Sequence, residues 1–257
     1  MTIPAASASV ALVIPHHSDR LTADEALSLR HLQTYLGEYE TYAVVPEGSA
    51  LRLRGAAVRT LPRRFFRDHR AHQQLMLSPL LYELFASYEF VLVYHLDSLV
   101  LARELAFWCA RGWDYVGAPW LRRDGAGELV LDGVGNGGFS LRRVESCLRV
   151  LGTLRRPLPR LRVGASFAVR VGKRLAKPGA PIRQLLRDRY LFEDKFWGLE
   201  APRLDPSFRV APAEEALAFA FETHPRVCFE LNKSRLPFGC HKWTAHEPDF
   251  WQPYLLT

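Results

Sequence analysis

The sequence predicts an α/β fold, a single domain with a mostly parallel central sheet flanked by helices, and three observations carry the α/β assignment. Phe90-Val91-Leu92-Val93-Tyr94 is apolar without alternation, as suits a strand covered on both faces. Short β-branched runs at Ser9–Pro15 and Thr41–Pro46 enclose a helical stretch, which is the start of a βαβ unit. With 257 residues, 48% hydrophobic and 12% aromatic, the chain can fill a sizeable core.

In order, the first strand ends at Pro15 and is followed by His16, His17, Ser18, Asp19 and Arg20, polar groups placed between a strand and a helix. Thr22-Ala23-Asp24-Glu25 spells a capping box, in which hydroxyl and carboxylate satisfy each other's free amides, and the helix should run to about Leu36. A short third strand is expected near Val58–Leu61, followed by the basic aromatic cluster Arg63-Arg64-Phe65-Phe66-Arg67. From His72 the pattern is helical, with Ser78 and Pro79 able to cap and restart a helix. The apolar run from Phe90 to Val100 reads as the central strand, broken near its end by His95 and Asp97. In open α/β sheets ligands bind beyond the carboxyl ends of the strands, so Asp97 is placed to hold a divalent metal or a ribose.

Leu101–Arg111 reads as an amphipathic helix that Gly112 ends, and Trp113–Trp120 as a strand running into a turn fixed by Gly117 and Pro119. Trp120 could floor a sugar or base site. Gly135-Asn136-Gly137-Gly138-Phe139-Ser140-Leu141-Arg142 lets the backbone approach a ligand closely, while Asn136 supplies donor and acceptor. It fits neither the P-loop nor the Gly-x-Gly-x-x-Gly spacing. Glu193 and Asp194 sit among aromatics, where partial burial would suit a general base and a helix N-terminus would equally favour acids. His241 lies in the late loop Pro237-Phe238-Gly239-Cys240-His241-Lys242-Trp243.

Charge is segregated. The net charge is +7, yet eleven Arg/Lys against one acid, Asp188, fall between Gly152 and Tyr190, which leaves the rest of the chain mildly acidic. Such a basic insert, at about 152–190, suits an anionic partner or simply a solvated face. No helix-turn-helix, RNA-recognition motif or zinc finger is recognisable, so no nucleic acid is expected. Four widely spaced cysteines without a Cys-x-x-Cys pair, and the lack of a signal pattern or an apolar run long enough to span a bilayer, point to the cytoplasm.

Taken in this order, Leu75-Met76-Leu77-Ser78, Tyr94-His95-Leu96-Asp97-Ser98, Asp114-Tyr115-Val116-Gly117-Ala118-Pro119-Trp120, the Gly135–Arg142 stretch, Glu193-Asp194 and the Pro237–Trp243 loop resemble the GT-A-like glycosyltransferase family long described as a domain of unknown function. The resemblance runs from about Ser9 to Trp243. It implies one domain over residues 1–257, a nucleotide-sugar donor, a glycan or lipid-linked acceptor, and a manganese or magnesium ion. By that resemblance Asp97 and His241 are metal ligands and Asp194 is the base of an inverting transfer. Glu193 holds the acceptor or substitutes for Asp194. His95, Trp120, Asn136, Gly137, Gly138 and Arg142 bind substrate. The Asp-x-Asp motif of that wider group is degenerate here: His95 stands in the first position if His95-Leu96-Asp97 is the match, and the second acid is lost if Asp97-Ser98-Leu99 is, so Asp97 survives either alignment. A membrane-facing role for the basic insert would place the enzyme at the inner face of an anionic membrane. Two other functions compete: a non-catalytic nucleotide- or glycan-binding module, favoured by the degenerate motif, and metal-dependent phosphoester hydrolysis by His16, His17, Asp97 and His241.

Overall fold

The computed structural model describes residues 9–155 and 192–256. Of the basic insert at about 152–190, the part from residue 156 on lies outside the described residues.

The chain opens with β1 (Val10–Pro15), every residue of which is buried. In α1 (Ala23–Leu36) the capping box is made: Thr22 Oγ1 accepts from Glu25 N at 3.2 Å, and Thr22 N donates to Glu25 Oε2 at 2.7 Å. The helix buries Ser28, Leu29, His31, Leu32 and Leu36 and returns the chain to β2 (Glu40–Pro46) and β3 (Ala56–Leu61). Next come α2 (His69–Met76), capped by the Asp68 carboxylate, and α3 (Pro79–Glu83), where the Ser78 hydroxyl accepts from Leu80 N and Pro79 starts the first turn. They lead into β4 (Phe90–Tyr94), also wholly buried.

The apolar run then behaves differently from one long strand. The chain turns at His95–Asp97, where Ser98 N donates to His95 O at 3.0 Å, and resumes as β5 (Ser98–Val100) in a second sheet. The following helix, α4 (Leu105–Ala110), starts later than the pattern suggests: Leu101 still belongs to the β5–β11 pairing, its N–H donating to Phe238 O at 2.9 Å. Gly112 does end it, at φ +74°. Next are β6 (Tyr115–Val116), a hairpin of β7 (Pro119–Arg123) and β8 (Leu129–Val134), then β9 (Phe139–Arg143) and α5 (Val144–Arg155). After the undescribed segment, α6 is a helical run of Glu193–Lys195, a π-helical turn Phe196–Glu200 and Ala201–Leu204. The chain closes through α7 (Ala213–Phe219), β10 (Ala220–Phe221), α8 (Pro225–Leu231), β11 (Gly239–His241) and α9 (Pro248–Trp251).

The six-stranded sheet has the order β3-β2-β1-β4-β9-β6. Its first four strands are parallel, and β9 runs antiparallel to both β4 and β6. The sheet is thus mixed α/β and mostly parallel, as expected. From β1 the chain winds one way to β2 and β3, then returns to lay β4 on the other side of β1. That reversal opens a crevice beyond the carboxyl ends of β1 and β4, where a doubly wound sheet binds ligands. The small sheet β10-β11-β5 closes one side of it and brings His241 opposite Ser98.

Candidate active site

A cavity of about 730 Å³ occupies this crevice, a size usual for a small-molecule site. One wall is the Phe66–Gln73 segment, another the Phe192–Asp194 start of α6, and the floor holds His95, Asp97 and the Asn136–Gly138 turn. His16 and His17 line it from the end of β1, and Glu222, His241 and Lys242 from the small sheet.

The turn between β4 and β5 puts His95 and Asp97 on the cavity side, and β11 delivers His241 to them. One ligand atom from each of the three lies within 4.8 Å of the others. His241 Nε2 is 3.3 Å from Asp97 Oδ1, and its Nδ1 is 3.1 Å from Glu222 Oε1, which also accepts from Lys242 Nζ at 2.8 Å. Burial disfavours charge on His241, but the Asp97 and Glu222 carboxylates outweigh it and raise its pKa to about 9. Burial likewise opposes ionisation of Asp97 and Glu222. His241 holds the Asp97 carboxyl far below the usual range, and with Lys242 it holds Glu222 at about 2. His95 Nε2 lies 3.0 Å from His72 Nε2. Burial first, then the neighbouring His72 and His241, pushes His95 well below its ordinary value, and burial with the nearby His69 and Arg142 pushes His72 down to about 4, so both imidazoles are neutral.

These three residues fit a divalent ion. Asp97 Oδ1 is shielded from solvent without a well-formed hydrogen bond. In the absence of an ion His241 is the imidazolium between Asp97 and Glu222; an ion would displace the Nε2 proton, and Glu222 beside Nδ1 would hold the tautomer that ligates through Nε2. His95 meets His72 through Nε2, and a ring nitrogen of His95 lies within 4.8 Å of the ligand atoms of Asp97 and His241. Two imidazoles and one carboxylate suit manganese better than magnesium, which prefers an all-oxygen shell.

The glycine turn is held by Asn136, whose Oδ1 accepts from both Gly138 N and Phe139 N at 2.9 Å. Gly138 passes so close to His241 that a Cβ there would overlap Nε2, and a Cβ on Gly137 would overlap Glu193 Oε1. Gly138 O also receives the His95 amide at 2.7 Å, so the turn fixes the ligand-bearing loop.

Glu193 and Asp194, adjacent in sequence, are separated in environment. Glu193 is 1% exposed and its Oε2 is 3.0 Å from the Arg142 guanidinium, itself fully buried and bonded to Tyr82 and Ser140. Burial pushes the Glu193 carboxyl up and Arg142 opposes it; because Arg142 cannot release its proton here, the two remain an ion pair. Glu193 N donates to Gln73 Oε1 at 2.7 Å, tying α6 to the opposite wall. Asp194 is half-buried at the cavity with its pKa raised, chiefly by burial.

Eight of the ten residues singled out from the sequence therefore line one cavity: His95, Asp97, Asn136, Gly137, Gly138, Glu193, Asp194 and His241. Two do not. Arg142 is turned into the core by its pairing with Glu193. Trp120 lies against Gly133, Gly135 and Gly198, where its ring fills the space that three missing side chains leave. Sequence reading passed over His72, Gln73, Glu222 and Lys242. Glu222 carried a usable signal, a carboxylate directly after the apolar β10, just as Asp97 follows β4.

Among solved structures the chain is similar to a glycosyltransferase involved in the glycosylation of the major capsid of PBCV-1, with 10% identity, 96% of this chain and 98% of that chain covered, and a TM-score of 0.47. It is also similar to the galactosyltransferase LgtC in complex with donor and acceptor sugar analogues, with 14% identity, 96% of each chain covered and a TM-score of 0.44. No curated protein matches the chain. Residues 55–241 match the family described as a protein of unknown function, DUF5672, and the chain belongs to that family.

Proposed function

We propose that this chain, acting as one domain, is a metal-assisted glycosyltransferase that moves a sugar from a nucleotide-sugar donor to a hydroxyl of a glycan or lipid-linked acceptor. The observation that carries the reading is the juxtaposition, in one cavity at the sheet's reversal point, of the His95–Asp97–His241 cluster with the half-buried Asp194 carboxylate. A donor diphosphate would meet Asp97, Glu222 and Asp194 there, which favours a cation between them. A manganese ion held by His95, Asp97 and His241 would neutralise charge growing on the departing nucleoside diphosphate. Asp194 takes the proton from the acceptor hydroxyl, and burial suits it to that task. Glu193, locked to Arg142, does not exchange roles with Asp194; it fixes where Asp194 stands. Asn136 shapes the Gly137–Gly138 cradle against which the sugar rests. Attack from the Asp194 side gives inversion.

Among the described residues no helix is long and apolar enough to cross a membrane, and all four cysteines are free and buried, which agrees with action in a reducing compartment. The test is a thermal-shift panel of nucleoside diphosphates and nucleotide sugars with and without manganese, followed by the anomeric configuration of any product. A manganese-dependent rise with one nucleotide and an inverted product support the reading; retained configuration overturns the role given to Asp194.

The imidazole of His95 in place of an acid favours a second reading, a binding module without turnover. It requires that Asp194→Ala leave biological activity intact.

A further inference from the structure

The described surface carries a charge imbalance that the transfer chemistry does not use. Residues 52–70 contain seven arginines, Arg52, Arg54, Arg59, Arg63, Arg64, Arg67 and Arg70, all exposed, against the single acid Asp68. Eight other described arginines are ion-paired, to Glu38, Glu215, Asp132, Glu193, Glu89, Asp205, Glu200 and Glu247. None of Arg52, Arg54, Arg59, Arg63, Arg64 and Arg67 makes an ion pair with a described carboxylate. Arg59 and Arg64 instead lie over the rings of Tyr42 and Phe65. The nearby acids are engaged or outnumbered: Asp68 caps α2, Asp19 accepts from Ser49 Oγ and Ala50 N and feels the Arg63 charge, and Glu47 follows β2. Like charges left together repel, a cost that a bound anionic partner would remove.

The placement gives the partner a shape. β3 is an edge strand of the six-stranded sheet, and its parallel direction carries the chain toward the cavity end. Arg54 lies before the strand, Arg59 within it, Arg63 and Arg64 just beyond, and Arg67 lines the cavity itself. The arginines therefore stand before, within and after a strand of roughly 20 Å, at about 3.3 Å per residue, the last of them at the proposed site of transfer. The stretch exposes no large hydrophobic side chain of the kind that enters a bilayer interface.

We infer that this edge is the docking track for the acceptor, and that the acceptor is a linear anionic glycan, one bearing carboxylates or phosphates, led by the arginine row to Asp194. The inference rests on the transferase reading for the word acceptor; the docking itself does not. Arginine suits such a ligand because its planar fork pairs with carboxylate and phosphate in two-point contacts.

The test uses the full chain without metal or nucleotide, so that its result is independent of turnover. Binding of labelled polygalacturonate is measured by anisotropy beside neutral dextran and vesicles of mixed phosphatidylglycerol and phosphatidylcholine. The proteins compared are the wild type, the R54Q/R59Q/R63Q/R64Q variant and the charge-keeping R54K/R59K/R63K/R64K variant. The docking track predicts polygalacturonate binding that weakens steeply between about 50 and about 200 mM salt, falls at least about tenfold in the glutamine variant and is largely kept in the lysine variant. Equal binding of neutral dextran, preference for vesicles, no binding at all, or binding unchanged by the glutamine substitutions would each overturn it. If polygalacturonate binds as predicted while the nucleotide panel shows nothing, the transferase reading falls and the anionic-glycan surface stands.

Discussion

Nε2 of His241 stands 3.3 Å from Oδ1 of Asp97, with Glu222 at 3.1 Å on the opposite ring nitrogen, so one imidazole joins two carboxylates brought from different strands. The second carboxylate orients the first pair. Replacing Glu222 by Gln should leave the fold intact and weaken manganese binding by about 10–100-fold, the usual consequence of removing an orienting partner. Calorimetric titration with manganese checks this, and unchanged affinity would remove Glu222 from the account.

His95 predicts the choice of metal. With His95→Asp the cluster becomes richer in oxygen donors, and the ratio of magnesium to manganese affinity should rise. Parallel titrations of both ions in wild type and variant give the ratio; no change would mean that His95 does not touch the ion.

Asp194 predicts a pH dependence with a definite sign. The base acts only as a carboxylate, so activity is present above its pKa and lost as pH falls through it. Because burial raises that pKa, the acid limb of kcat/KM should lie above the ordinary aspartate value of about 3.9. Asp194→Asn should lower kcat by about 10²–10⁴-fold and erase that limb. A variant that keeps most of its rate would move the base elsewhere.

Much of this architecture was legible in the residues, for physical reasons that can be named. The capping box at Thr22 and Glu25, the uninterrupted apolar β4 and the Ser78-Pro79 restart are local, so spacing alone specifies them. The division of Phe90–Val100 between two sheets was not, because it depends on β11, which arrives some hundred and forty residues later to pair with Ser98–Val100. Trp120 and Arg142 show the same limit at single residues. An aromatic beside a turn and an arginine after a glycine loop read as ligand contacts until Gly135 and Glu193 are found against them.

The buried Arg142–Glu193 pair predicts a non-additive response. Removing one partner strands a charge inside the protein, so Arg142→Met should cost roughly 3–5 kcal/mol, whereas Arg142→Met with Glu193→Leu should cost clearly less than the two single changes together. Denaturant melts of the three variants measure this. Additive losses would show that the two side chains do not act as a pair.

The central claim is that one cation site joins the nucleotide to the His95–Asp97–His241 cluster. The most direct measurement is calorimetric binding of nucleoside diphosphates to the full chain with manganese present, absent and present with Asp97→Ala. The account predicts saturable binding of one nucleotide that needs manganese and is lost in the variant. Binding indifferent to manganese and to Asp97, or no binding of any nucleotide, would contradict it.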